Sequence, residues 1–341
     1  MDYVTEKYQE FLEFEKNFDG QVLIDWTQEH AEVPIFAVVL YLGMVTYGPT
    51  YMPFPLHLSV PFALWNLVLC VFSILGVSRV VPRLLEALTD PANGDTIAER
   101  FVWTCCQDPA NWYLSGGCGL WVGLFVFSKL PELLDTALLV LQKKKVIFLH
   151  WFHHCTVLLY CWHAFHHRIA PGLWFAAMNF SVHSVMYGYY FLSCSAVGLR
   201  RFVRPFAPLI TFIQIAQMFV GISVTITAAI EHSNDPATCA TDAANWKLGL
   251  GMYGCYFILF IVLFVNLYCT EGRGHKSSNK AVRPNLNSRL HECVGSFSQF
   301  FMHDNRRKTA ASASLASKPV VTLGMQLDSF VASQMPSVPK R

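Results

Sequence analysis

His150, His153 and His154 stand at spacings of three and one in the run His150-Trp-Phe-His153-His154. On a helix, positions i, i+3 and i+4 share a face, so three imidazoles converge. A single histidine in an apolar helix is usually a satisfied hydrogen-bonding group. Three on one stripe point instead to a nucleophile, a proton-transfer group or a metal ligand. Further along, Asn179, His183, Met186, Tyr187 and Tyr190 fall within roughly one 100° stripe at helical spacing. Aromatic and Met stripes are ordinarily core, but Asn179 and His183 in the same stripe tilt this one towards chemistry. The Asn179-Phe-Ser181 sequon is discounted, because inside a span it is out of reach of glycosylation. Lys129, Glu132 and Thr136 also share a face at about 100° per residue, with Asp135 beside them. They read either as an ion pair joining helices or as groups that orient a site. Thr211, Gln214 and Gln217, spaced by three, add a weaker polar row.

Two chemistries suit these groups. A membrane diiron desaturase or hydroxylase would need several histidine boxes, and a second His-x-x-His-His does exist at His163, His166 and His167. However, His163 lies roughly 20 Å along the helix from His150. Its angular offset is about 220°, so the two sets cannot enclose one dinuclear centre. These three are read as structural groups at the membrane interface. The alternative is carbon–carbon bond formation between thioesters. That needs a nucleophile for the acyl carbon, donors for an enolate oxygen, and exclusion of water. Clustered imidazoles, amides and phenols in a lipid-buried cavity supply all three without metal or cofactor. Cys155 is the rival nucleophile, but two residues past His153 it points about 200° away. A non-catalytic lipid transporter would also tolerate a polar-lined bundle.

The elements that must hold these residues are apolar. Of 341 residues, 53% are hydrophobic and 14% charged, and the mean hydropathy is +0.36, whereas soluble domains carry roughly 25% charged residues. About 20 residues cross the hydrocarbon core as a helix. Seven stretches qualify, at about 34–53, 60–82, 116–141, 146–167, 172–196, 206–230 and 246–269, with Pro131 expected to kink the third. The expected fold is therefore all-α and polytopic. It comprises an N-terminal segment 1–33, a transmembrane domain 34–270 and a Ser-rich basic tail 271–341 without apolar periodicity, expected to be disordered.

Charge orients it. Residues 1–32 hold nine acidic and two basic residues, with no apolar core of a signal peptide, while residues 271–341 hold eleven basic and four acidic. Lys143, Lys144 and Lys145 follow the third span, and Arg200, Arg201 and Arg204 follow the fifth. Cytoplasmic loops collect Lys and Arg, so the N-terminus is luminal and the tail cytosolic. Loops 83–115 and 231–245 then face the oxidising side. A disulfide from Cys106 (or Cys105) to Cys239 is permitted there, two free thiols being the other reading. Cationic loops on the cytosolic face suit coenzyme A phosphates, and nothing suggests nucleic acid.

Taken together, Lys129-x-x-Glu132-x-x-Asp135-Thr136, His150-x-x-His153-His154, Asn179-x-x-x-His183-x-x-Met186-Tyr187-x-Tyr189-Tyr190 and Thr211-x-x-Gln214-x-x-Gln217 resemble the ELO family of very-long-chain fatty-acid elongases. The resemblance runs from about residue 8 to 270. It includes Phe14-Glu15-Lys16-Asn17-Phe18 and Leu64-Trp65-Asn66-Leu67, which look most like the subgroup acting on saturated and monounsaturated chains near palmitate. It implies condensation of acyl-CoA with malonyl-CoA to 3-ketoacyl-CoA, CO2 and CoA in the endoplasmic reticulum. It also implies seven helices, six of them forming a barrel round an acyl tunnel closed at the luminal end, and a Cys106–Cys239 disulfide. His153 is the expected acyl-imidazole nucleophile. His183, His150, His154 and Asn179 are expected in catalysis. Lys129, Glu132, Asp135, Gln214, Gln217, Tyr187, Tyr190, Lys143, Lys144 and Arg201 are expected to bind substrate. No cofactor or metal is expected beyond the co-substrate malonyl-CoA. Expected partners are membrane lipid and the ketoacyl-CoA reductase, dehydratase and enoyl reductase that follow, with a homodimer left open. Three features depart from the family pattern: Gln142 where Arg is common, the second histidine cluster, and the long tail.

Overall fold

The computed structural model describes residues 3–195 and 197–269, so the expectation for the tail 271–341 lies outside the described residues. The described chain is helical, with no strand and one isolated bridge between Asp19 and Ser115. The helices are α1 (Tyr3–Lys16), α2 (Gln21–Glu29), α3 (Glu32–Tyr51), α4 (Ser59–Thr89), α5 (Ile97–Cys106), α6 (Gly116–Ser128), α7 (Leu134–Leu141), α8 (Phe148–His166), α9 (Gly172–Ser195), α10 (Val197–Val203), α11 (Ala207–Asn234) and α12 (Ala243–Phe264).

Among the described residues, four helical stretches are long and apolar enough to cross a membrane: Glu32–Tyr51, Ser59–Thr89, Gly198–Asn234 and Ala243–Tyr268. This establishes a multi-pass arrangement of apolar helices. The remaining expected windows, 116–141, 146–167 and 172–196, are helical but carry the histidines, Asn179, Lys129, Glu132 and Asp135, whose polarity lowers their hydropathy. The third window departs from the expected continuous helix. It is α6 and α7 joined by a 3-10 turn at Pro131–Leu133, because proline supplies no backbone N–H and its ring clashes with the preceding turn. α4 also runs seven residues past the expected end at Val81-Pro82, to Thr89, with Pro82 inside it.

Packing follows a cyclic order: α4 on α9, α9 on α11, α11 on α12, α12 on α8, α8 on α6 and α6 on α4. α3 stands outside that order, against α7 and α8. Without water to squeeze out, helices in lipid rely on close approach at small residues. At Gly76 a Cβ would meet the Phe180 ring at 2.6 Å, so α4 and α9 approach through that missing side chain. Outward residues such as Phe36, Val39, Leu40, Leu64 and Val68 are apolar and exposed, as a lipid-facing surface requires.

One end of the bundle is tied together. Cys106, at the end of α5, is bonded to Cys239 in the α11–α12 connection, and Ala240 N donates to Cys106 O at 2.8 Å. Ala170 N donates to Ala240 O at 2.7 Å, and Tyr113 OH to Ile169 O at 2.7 Å, joining three connections. α5 opens with a reciprocal cap: Glu99 N donates to Thr96 Oγ1, and Thr96 N and Asp95 N donate to the Glu99 carboxylate. Those backbone donors hold the Glu99 carboxyl below its usual range. The described part of the N-terminal segment is mostly helical, as α1 and α2. Buried Glu15 of α1 accepts from Arg79 Nε at 3.0 Å and Trp121 Nε1 at 2.6 Å, which anchors α1 beside α6.

Candidate active site

A cavity lies between α4, α8, α9, α11 and α12. Tyr189, Ser193, Ala207 and Tyr268 line its end opposite the disulfide. α8 contributes His150, His153 and His154 to the wall. The His150 and His154 ring centroids are 4.6 Å apart and those of His153 and His154 are 5.6 Å apart. The His153 ring lies 4.9 Å from that of Tyr256, whose hydroxyl donates to the His153 carbonyl at 3.2 Å. His153 Nδ1 is enclosed without a hydrogen-bond partner, leaving Nε2 as the ring nitrogen available to a substrate.

α9 contributes Asn179, His183, Met186, Tyr187 and Tyr190 to the same wall. A lysine only donates, so Lys129 Nζ donates to Asn179 Oδ1 at 3.1 Å and thereby fixes the amide orientation. Asn179 Nδ2 must then donate to His183 Nε2 at 3.1 Å, which puts the His183 proton on Nδ1. Behind this pair, Lys129 Nζ is 2.6 Å from Glu132 Oε1 and 4.5 Å from the Phe125 ring centroid. Asp135 does border the cavity, accepting from Trp65 Nε1 at 2.5 Å and Tyr187 OH at 2.8 Å. From α11 come Thr211, Gln214 and Gln217, with Gln214 Nε2 donating to Met186 Sδ at 3.3 Å.

Several of the expected site residues do not line the cavity. Lys129 and Glu132 are buried behind the wall, Lys129 donating to Asn179 Oδ1 and Glu132 pairing with Lys129. Lys143, Lys144 and Arg201 are also outside the wall. Lys143 occupies the left-handed region at φ 52° in the α7–α8 turn. Lys144 Nζ sits 5.4 Å from the Phe62 ring, where burial pushes its ammonium pKa down, and Arg201 is exposed on α10. Cys155 is buried but does not line the cavity. His163 Nδ1 accepts from Asn245 Nδ2 at 3.0 Å, away from the cavity, and its ring is 4.3 Å from that of His167. Among the described residues no group of three or more His, Cys, Asp or Glu is arranged to hold a metal.

Sequence reasoning missed α4 as a wall element, with Phe62 and Asn66 facing the cavity and Trp65 holding Asp135. It also missed Tyr41, whose hydroxyl is 2.8 Å from Thr136 Oγ1, itself 2.8 Å from His150 Nε2. A lone tyrosine in an apolar helix carries no periodic signal. Trp65 was visible only within the Leu64-Trp65-Asn66-Leu67 run.

The chain is similar to known proteins over most of its length. The family described as ELO: GNS1/SUR4 family matches residues 26–276. A protein of Trypanosoma brucei brucei named fatty acid elongase 3 is 45% identical over 270 residues, covering 74% of this chain and 89% of the relative. Its namesake in Trypanosoma cruzi is 42% identical over 269 residues, with the same coverage of each chain. Very long chain fatty acid elongase 4 of Trypanosoma cruzi is 40% identical over 271 residues, covering 79% of this chain and 91% of that protein.

Proposed function

The chain belongs to the ELO (GNS1/SUR4) family, and from that premise we propose that its cavity runs the elongase condensation through an acyl group carried on His153. The protein is a fatty-acid elongase, a 3-ketoacyl-CoA synthase acting on acyl-CoA and malonyl-CoA. One observation carries the site reading. Imidazoles of α8 and the Asn179–His183 pair of α9 face one mostly apolar cavity with Gln214 and Gln217.

The chemistry runs in two stages. His153 Nε2 attacks the acyl-CoA carbonyl carbon, a C–N bond forms, the C–S bond breaks, CoA leaves as thiolate, and the ring keeps its Nδ1 proton, so the acylated imidazole carries the balancing positive charge until the acyl group is passed on. An acyl-imidazole remains reactive enough to pass the acyl group on. Malonyl-CoA then loses CO2, and the electron pair released forms the enolate carbon that attacks the acyl carbonyl. The C–N bond breaks, His153 is regenerated, and 3-ketoacyl-CoA departs. His183 and Asn179 polarise the malonyl thioester, and His150 and Gln214 donate to the enolate oxygen. His154 packs against His150, and Tyr187 and Tyr190 border the acyl path. Lys129 and Glu132 orient Asn179. The cationic loops with Lys143, Lys144 and Arg201 attract the CoA phosphates at the cytosolic mouth. No cofactor or metal enters this scheme.

The cyclic packing of α4, α9, α11, α12, α8 and α6 supports a six-helix barrel round the acyl tunnel, with α3 as a seventh span outside it. The basic loops at the mouth and the disulfide at the opposite end support a cytosolic mouth and a luminal N-terminus in the endoplasmic reticulum. The product requires a ketoacyl reductase, a dehydratase and an enoyl reductase to complete a two-carbon extension; a homodimer is compatible with the exposed apolar faces.

Intact-mass analysis after incubation with acyl-CoA alone tests the covalent stage. Wild type and Cys155→Ala should gain one acyl mass, and His153→Ala none. An adduct lost in Cys155→Ala but kept in His153→Ala would give the role to the cysteine. Failure of purified protein to transfer label from malonyl-CoA into acyl chains would refute the condensation itself.

A further inference from the structure

Tyr41 lies on α3, the helix outside the cyclic packing order, yet its side chain is 2% exposed. The other α3 residues face outward or are partly covered, and only Pro34 shares its burial. Gly48 lets α3 approach this closely, since a Cβ there would meet Val140 Cγ1 of α7 at 2.7 Å. The Tyr41 hydroxyl reaches Thr136 Oγ1 at 2.8 Å, and the same oxygen is 2.8 Å from His150 Nε2. We propose that Tyr41, acting through Thr136, is a positioning residue that holds His150 as an Nδ1–H donor to the cavity.

The direction of this chain follows from counting protons. Among the described residues, Thr136 is the hydrogen-bond partner of the Tyr41 hydroxyl. If Tyr41 donates to Thr136, the Thr136 proton is free to go to His150 Nε2, and both hydroxyls are satisfied. Reversing the order makes His150 Nε2 the donor and leaves the buried phenol proton without an acceptor, which is the costlier arrangement. The favoured order leaves the ring proton of His150 on Nδ1. His150 lines the cavity, so it meets the developing enolate oxygen with an N–H rather than a lone pair. The partner that fixes a functional imidazole's tautomer acts on its activity without touching substrate.

The inference rests on the elongase reading, and the test separates the two. Acylation by acyl-CoA alone and condensation of the acylated enzyme with malonyl-CoA are timed separately in the purified full-length protein. Tyr41→Phe keeps the ring and its packing and removes one hydroxyl. It should acylate within about twofold of wild type and condense about 10- to 100-fold more slowly, at an unchanged KM for malonyl-CoA. Thr136→Val should match it, and Thr136→Ser, which keeps the hydroxyl, should restore the rate. In a His150→Gln background, Tyr41→Phe should cost almost nothing further, because the two act as one unit. Three results would overturn the inference: an unchanged condensation rate in Tyr41→Phe, equal slowing of both stages, or a full additional penalty on His150→Gln. If wild type forms no adduct, the covalent reading fails. The relay is then judged on steady-state kcat and KM of the same four variants, with the same expected pattern. Thr136→Ser guards against misfolding, since a variant that neither folds nor rescues while Tyr41→Phe folds and turns over normally also overturns it.

Discussion

Lys129 and Asn179, 50 residues apart in the chain, are joined by a 3.1 Å hydrogen bond that decides which way the Asn179 amide faces His183. The lysine is itself neutralised by Glu132 at 2.6 Å, both side chains being almost wholly buried. Removing one member of such a pair leaves an uncompensated buried charge, at about 3–5 kcal/mol. Glu132→Gln or Lys129→Met alone should therefore lower the melting temperature in micelles more than the double variant does. Additive penalties would mean that the two charges are not coupled.

Product length should respond to the floor of the cavity. Met218 of α11 lines it, while Phe175, one turn from Asn179, lines a second, smaller chamber together with Tyr160. Met218→Phe is expected to shorten the longest product. Phe175→Ala should lengthen it by at least one round of elongation. Gas chromatography of products from a panel of acyl-CoAs reads both. Altered rates at unchanged length in each variant would dismiss the floor as a ruler.

The Cys106–Cys239 bond spans 133 residues of sequence. Replacing both cysteines by serine is expected to destabilise the protein towards the lower end of the usual range of about 2–5 kcal/mol, because inserted helices already restrict the unfolded chain. Thermal unfolding with and without reductant measures this. Reductant should lower the transition of wild type and leave the double-serine variant unmoved.

Protease added to sealed microsomes should remove a tag placed after Arg341 and spare one placed before Met1. The opposite pattern would invert the orientation and move the cavity mouth to the lumen.

Much of the site was legible because helical spacing is a geometric fact. His150, His153 and His154, and likewise Asn179, His183, Met186, Tyr187 and Tyr190, reach one wall as their angular positions require. Spacing gives a face, however, and not what stands opposite it. The spacing of Lys129 and Glu132 therefore left substrate contact and orientation of the site equally open, and their burial behind Asn179 was not legible in it. The seven apolar windows were legible as helices, but the break at Pro131–Leu133 was visible only as a kink. Tyr41 and Trp65 escaped because each acts through one polar atom, with no second polar group at helical spacing to mark its face as part of the site.

The position of α3 has a consequence in time. It packs on α7 and α8, and 95 residues separate Tyr41 from Thr136. At about 5–20 residues per second of synthesis, the first apolar helix waits roughly 5–20 s before its docking surface has been made. Throughout that interval the Tyr41 hydroxyl is without Thr136, so a helix made first joins the site only after α7 has been made, and a ribosome stalled before α8 leaves α3 without half of its docking surface.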